Sequence, residues 1–242
     1  MISTVSRMPG IDLAYTFLPG TAPVIMFCPG YASDMAGTKA LALEAWCKTT
    51  GQAMLRFDYA GHGQSGGDFS ANGIGDWAAD AAFVLAHTAP QQDVLLVGSS
   101  MGGWISLLLG RQLGARLKAM VLIAPAPDFT QKLLERDLPP EQDIVIAQAS
   151  PDAAPLTFSR ALIERSAAHL VMGQPIPLTC PVRILHGLED ETVPWQLSLK
   201  LVERLASTDV RLIYVKNGDH RLSSPEDLTL LIQTVAAFVQ NF

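Results

Sequence analysis

Val94-Leu95-Leu96-Val97-Gly98-Ser99-Ser100-Met101-Gly102-Gly103-Trp104 passes from a short apolar strand pattern, through a glycine-flanked pair of serines, into an apolar helix pattern. A strand that turns at once into a helix must fold its backbone back sharply. Glycines two places before and after the apex remove the side chains that would collide there. The rule selects one serine. Ser100 has Gly98 and Gly102 at −2 and +2, whereas Ser99 would need glycine at Val97 and Met101. The turn is expected to strain Ser100 and present its hydroxyl above the sheet as a nucleophile, with Ser99 a spectator.

Outward from this turn, short apolar runs alternate with stretches of helical spacing, which is the pattern of βαβ units. The other runs are Val24 to Phe27, Ala53 to Phe57, Ala119 to Ile123, Val182 to His186 and Val210 to Val215. Most are apolar without alternation, as expected where helices cover both faces of a parallel sheet. Ile74, Trp77, Ala81, Val84 and Leu85 fall on one helical face, and so do Leu197, Leu201 and Leu205. A last helix is expected from Ser224-Pro225-Glu226 onward, with Leu228, Leu231, Val235, Phe238 and Val239 facing inward. Asp12 to Phe17 reads as an antiparallel strand near the N-terminus.

The rhythm breaks between Ile123 and Val182. A Pro-rich insertion containing Pro125, Pro127, Pro139, Pro140, Pro151, Pro155, Pro175 and Pro177 reads as a small cap over residues 125–178. Phe158, Leu162, Ser166 and Leu170 form a candidate helical stripe inside it. Strand–turn–helix with G-x-S-x-G, in this alternation, predicts an α/β-hydrolase fold. The expected form is a mostly parallel, doubly wound sheet with helices on both faces, a cap inserted after strand 6, and one domain over residues 1–242.

A serine hydroxyl needs a base to take its proton, and the base needs an orienting carboxylate; in this fold they follow in the order serine, acid, histidine. His62 and His87 precede the serine, His169 lies in the insertion and His186 ends a strand. His220, in the turn Asn217-Gly218-Asp219-His220-Arg221 after a late strand, is the expected base. Asp190 in His186-Gly187-Leu188-Glu189-Asp190-Glu191-Thr192-Val193-Pro194 is the expected acid, because it resembles the H-G-x-x-D-x-x-V-P arrangement common in the fold. Glu189 and Glu191 read as solvated loop charges, and Asp128 is the substitute acid.

The oxyanion formed on attack needs fixed donors. The backbone N–H groups of Met101 and of Tyr31, in Cys28-Pro29-Gly30-Tyr31, are the candidates. Cys28 stands where many relatives carry histidine; it reads as a buried structural thiol. Arg56-Phe57-Asp58-Tyr59-Ala60-Gly61-His62-Gly63-Gln64-Ser65 looks like the D-x-x-G-x-G-x-S turn of the fold, with Asp58 and Ser65 serving backbone donors and His62 reading as structural.

Composition sets the outer limits. Of 242 residues, 49% are apolar and 17% charged, enough for a two-sided core and too apolar for a disordered chain. A net charge of −6 without a Lys/Arg run argues against a nucleic-acid partner. Cys28, Cys47 and Cys180 are odd in number and lack metal-ligand spacing, so reduced thiols in a cytoplasmic protein are expected. No apolar run reaches the ~20 residues that span a bilayer. No cofactor is implied by the candidate chemistry, and oligomeric state is not legible.

Pro29 to Ala40, with its Gly37-Thr38-Lys39-Ala40, together with Val97 to Trp104 and Cys180 to Trp195, resembles one branch of the fold. That branch is the palmitoyl-protein thioesterases of the mitochondrial α/β-hydrolase-domain type, also described as acyl-glucuronide esterases. The resemblance spans roughly residue 10 to the C-terminus and implies a triad of Ser100, Asp190 and His220. The N-terminus lacks a transit-like segment, so the chain looks like a bacterial counterpart. The expected activity is hydrolysis of acyl thioesters or esters through an acyl-serine intermediate. The alternatives are a carboxylesterase for short esters or acyl glucuronides, and a ligand-binding receptor on the same fold.

Overall fold

The computed structural model describes residues 1–131, 144–146 and 156–240. Among these, the strands in chain order are β1 (Ser3–Met8), β2 (Ile11–Leu18), β3 (Thr21–Cys28), β4 (Gln52–Phe57), β5 (Val94–Ser99), β6 (Leu117–Ile123), β7 (Ile144–Ile146), β8 (Leu156–Phe158), β9 (Val182–Gly187) and β10 (Val210–Val215). The helices are α1 (Thr38–Thr50), α2 (Ile74–Thr88), α3 (Met101–Leu113), α4 (Arg160–Ser166), α5 (Gln196–Arg204) and α6 (Pro225–Val239).

One sheet runs in the order β1-β2-β4-β3-β5-β6-β9-β10, and β7 and β8 form a separate antiparallel pair. β1 and β2 are antiparallel, β2 meets β4 antiparallel, and every other pairing in the large sheet is parallel. This is the mostly parallel, doubly wound sheet of the α/β-hydrolase fold expected from the sequence.

The apolar runs lack alternation because each face has its own core. Along β5, Val94 and Leu96 point into a cluster with Trp77 and Trp104 from α2 and α3. Leu95 and Val97 point into another with Leu43 of α1 and Leu231 and Val235 of α6. Burying each such side chain contributes about 1.5–3 kcal/mol, which makes a one-residue slip of a central strand prohibitive. Register is thereby fixed: Phe27 stands beside Val97, Cys28 beside Gly98, Gly98 beside Leu122, and His186 beside Tyr214. The C-terminal ends of the parallel strands therefore open on one edge, where ligands bind in sheets of this kind.

α6 begins as its sequence predicts. Ser224 Oγ accepts from Asp227 N–H at 3.1 Å, the Asp227 carboxylate accepts from Ser224 N–H at 3.1 Å, and Pro225 occupies the first turn. Two elements differ from expectation. Ser3–Met8, where sequence reading assigns no strand, adds an edge strand to β2. In the insertion, the stripe Phe158, Leu162, Ser166, Leu170 is not one helix: Phe158 lies on β8, Ser159 Oγ accepts from Leu162 N–H at 3.1 Å to start α4, and Leu170 follows a short 3₁₀ turn. Leu162 and Ser166 are buried on α4 as the spacing requires. Ser166 Oγ accepts from the first N–H of α2, on Ile74, at 3.1 Å. Pro139, Pro140, Pro151 and Pro155 of the insertion lie outside the described residues. No helix among the described residues is long and apolar enough to cross a membrane.

Candidate active site

The turn between β5 and α3 is built by close approach. A Cβ on Gly98 would collide with the Gly102 carbonyl, and a Cβ on Gly102 would collide with the Cys28 carbonyl at the end of β3. Glycine is therefore required at both places. The apex residue Ser100 sits at φ 54° and ψ −118°, a region left almost entirely to glycine. Its peptide is pinned to the neighbouring strand: Ser100 N–H donates to Ile123 O at 2.8 Å, and Ser100 O accepts from Ala126 N–H at 3.1 Å.

The three side chains singled out by sequence form a hydrogen-bonded chain. Ser100 Oγ lies 3.1 Å from His220 Nε2, and His220 Nδ1 lies 2.7 Å from Asp190 Oδ2. Because Nδ1 faces an acceptor-only carboxylate oxygen, it carries the proton and leaves the Nε2 lone pair for the Ser100 hydroxyl. Glu189 and Glu191 are exposed, as expected of solvated charges.

Asp190 is buried, and burial alone pushes its carboxyl upward. Hydrogen bonds from His186, His220 and the Val193 N–H outweigh burial and hold it well below the usual carboxylate range. Oδ1 accepts from Thr192 and Val193 N–H, both at 2.8 Å, while Oδ2 is shared by His220 and by His186 Nε2 at 3.1 Å.

His186 is the partner that sequence reading missed. Its Nε2 also faces Val193 O at 3.1 Å, so with two acceptors before it that nitrogen carries the proton, and Nδ1 accepts from Ser198 Oγ at 2.6 Å. The i, i+4 spacing of His186 and Asp190 within H-G-x-x-D was the available signal. His186→Phe keeps the ring volume but removes one donor from a buried carboxylate. It is expected to lower unfolding stability in urea by about 2 kcal/mol and kcat by about tenfold through a looser Asp190. Unchanged values of both would show that His186 does not support the acid.

The segments that carry the candidate oxyanion donors both lie beside Ser100. Met101 opens α3, so its N–H has no acceptor within the helix and stands at the positive end of the helix dipole. Gly30 packs against the turn so closely that a Cβ there would stand 3.4 Å from Ser100 Cβ, which brings the Gly30–Tyr31 turn beside the serine. The Tyr31 side chain reaches toward the insertion: its hydroxyl donates to Thr157 O, and its ring lies 4.8 Å from that of Phe158. Phe129 and Trp104 extend this aromatic wall, and Trp104 Nε1 donates to His169 O at 3.0 Å.

The remaining candidates have structural surroundings. The His62 ring is enclosed by Tyr59, Phe69 and Trp77, and burial pushes its pKa down to about 4, so it is neutral at pH 7. Asp128 accepts from Val171 N–H at 2.8 Å and Met172 N–H at 2.7 Å, which commits it to the backbone of the insertion. Asp58 accepts from Met35 and Gln64 N–H, and Ser65 Oγ accepts from Ala14 N–H. Cys28 is fully buried, and burial pushes its thiol up to about 12, so it is not a thiolate.

Comparison with known proteins addresses the family. The family model described as "Serine aminopeptidase, S33" matches residues 20–156. The mouse mitochondrial palmitoyl-protein thioesterase ABHD10 is 38% identical over 244 residues, covering 97% of this chain and 81% of that protein. The solved structure of mouse α/β-hydrolase domain-containing protein 10 superposes with a TM-score of 0.91 at 35% identity, covering 100% of this chain and 99% of that one. A putative hydrolase from Agrobacterium vitis S4 superposes with a TM-score of 0.88 at 40% identity, covering 98% and 97%. With this family match, these identities and the shared fold, the chain belongs to the α/β-hydrolase superfamily, in the family described as serine aminopeptidase S33, is similar to the ABHD10 thioesterases, and is a hydrolase of ester or thioester bonds.

Proposed function

We propose that the protein is a serine thioesterase of the palmitoyl-protein type, with Ser100 as nucleophile, His220 as general base and Asp190 as orienting acid. The observation that carries this reading is the hydrogen-bonded chain from Ser100 through His220 to Asp190, with the serine strained at a sheet edge. His220 Nε2 takes the hydroxyl proton as Ser100 Oγ attacks the acyl carbonyl. The oxyanion is met by the N–H groups of Met101 and Tyr31. Collapse expels the thiol or alcohol, protonated by His220, and leaves acyl-Ser100. Water, deprotonated by the same imidazole, attacks that ester and releases the acid. No cofactor enters these steps.

Residues 125–178 are read as the cap of a single hydrolase domain over residues 1–242. The aromatic wall of Tyr31, Phe129 and Phe158 is read as one side of the acyl pocket; an apolar lining suits a long chain. The mitochondrial ABHD10 thioesterases support the same substrate class. A reducing, cytoplasmic setting is supported by three free thiols.

The test is a panel of acyl thioesters and oxyesters from acetyl to palmitoyl, run beside fluorophosphonate labelling. Labelling confined to Ser100 and a kcat/KM for palmitoyl thioester about tenfold above that for short oxyesters is expected, since each buried methylene favours the long chain. Preference for short oxyesters or acyl glucuronides would make it a carboxylesterase. Absence of labelling and turnover would leave a ligand-binding receptor.

A further inference from the structure

Lys39 breaks a local rule. It is the second residue of α1, whose N-cap Gly37 offers no side-chain cap and whose first turn holds no acid. A cation at a helix N-terminus opposes the dipole. Burial adds to this by pushing the ammonium down to about 8, with Asp219 and Asp227 opposing the shift and Arg221 adding to it. A lysine held there against its local preferences points to a partner elsewhere in the chain.

That partner is the loop carrying His220. Lys39 Nζ donates to the carbonyl of Arg221, 182 residues away and next to His220, and lies 3.5 Å from Ser223 Oγ. The loop is strained: Leu222 has φ +43°, in the left-handed region. From within, it is tied by Asp219 Oδ1, which accepts from Arg221 N–H at 3.0 Å and Leu222 N–H at 2.9 Å. It is also held by Gly218 O, which accepts from Glu189 N–H at 3.0 Å, by Gly218 N–H, which donates to Val215 O at 3.1 Å, and by Ser223 Oγ, which donates to the Arg221 carbonyl at 3.0 Å. Lys39 supplies the tie from α1, on the side of Arg221 that Asp219 does not reach.

We propose that Lys39 is a positioning residue: by holding the Arg221 carbonyl it fixes the His220 loop, and so keeps the imidazole in reach of Ser100. The inference rests on the reading of His220 as the general base. It also gives the lysine of Gly37-Thr38-Lys39-Ala40 a function in this chain, spanning from α1 to the loop.

The experiment uses the full chain and an activated soluble ester, with kcat expressed per folded enzyme from a melting curve. Lys39→Met keeps the length of the stem and removes the donor. It is expected to lower kcat by roughly tenfold to a hundredfold, the effect of an imidazole displaced by a fraction of an ångström to one ångström, with KM within about twofold. Lys39→Arg, which still donates, is expected to recover most of the rate. Lys39→Gln, polar but too short to span, is the second variant should the Met form not fold, and it should show the same loss. In a His220→Ala background, Lys39→Met should cost nothing further, because its effect passes through the imidazole. A kcat within twofold of the parent in both Lys39→Met and Lys39→Gln, or the same loss with and without His220, would overturn the inference. Full activity in His220→Ala alone would overturn the reading of His220 and this inference with it, so the two failures are told apart.

Discussion

Ser100→Ala is expected to lose about 10⁵- to 10⁶-fold in kcat and all fluorophosphonate labelling, while its melting temperature holds or rises. The rate loss follows because His220 Nε2, 3.1 Å from the hydroxyl, would have no proton to take and no oxygen to activate. The stability follows from the backbone. At φ 54° and ψ −118° a side chain is strained whether or not it carries oxygen, so removing the hydroxyl relieves no native packing and exposes no buried group. Ser100→Gly should go further, relieving about 1–3 kcal/mol of strain against a glycine entropy cost of about 0.5–1 kcal/mol. An inactive but more stable Ser100→Gly is the signature of strain kept for chemistry. Retention of labelling in Ser100→Ala would move the nucleophile elsewhere; loss of the folded state in both variants would show that the hydroxyl serves packing.

Much of this arrangement is legible in sequence where the deciding rule is local. The glycines at 98 and 102 select Ser100 because the strand–helix turn has no room for a Cβ at either, and the structure shows carbonyls occupying that space. The central strands are legible because burial on both faces leaves no polar alternation to confuse them. Ser3–Met8 is harder: an edge strand buries little, and only Val5 and Arg7 are partly covered. The insertion misleads by periodicity, since Phe158 stands four residues before Leu162 and so fits a helical stripe. The Ser159 cap starts the helix only after Phe158, and that cap was the stronger signal. His186 was within reach through its i, i+4 spacing to Asp190, whereas Lys39 is beyond local reading, because it acts through a carbonyl 182 residues away that the topology brings to it.

Asp190→Asn is expected to lower kcat by about 10⁴-fold, the scale of the matching change in serine proteases, with the protein still folded at neutral pH. Asparagine has nearly the shape of aspartate but the wrong polarity for this site. Asp190 is surrounded by donors: Thr192 and Val193 N–H on one oxygen, His186 and His220 on the other. Whichever way the amide is turned, its NH₂ meets a pair of donors. If it faces the histidines, His220 is driven to the tautomer with its proton on Nε2, where Ser100 needs an acceptor. If it faces the loop amides, the 190–193 turn loosens and His220 loses its anchor.

Stability and rate separate the two roles of this carboxylate. In the parent, a carboxyl held below its usual range stabilises the fold fully above its unfolded pKa of about 3.9, and that stability is lost as pH falls through the depressed folded value. Asp190→Asn should remove this part of the acid limb of the stability curve. In catalysis, Asp190 keeps the His220 proton on Nδ1 and so leaves Nε2 to accept the serine proton. Glu189→Gln and Glu191→Gln, at exposed positions, should leave kcat within about twofold of the parent. A rate loss under tenfold in Asp190→Asn, or an equal loss in Glu189→Gln or Glu191→Gln, would take the role of orienting acid away from Asp190.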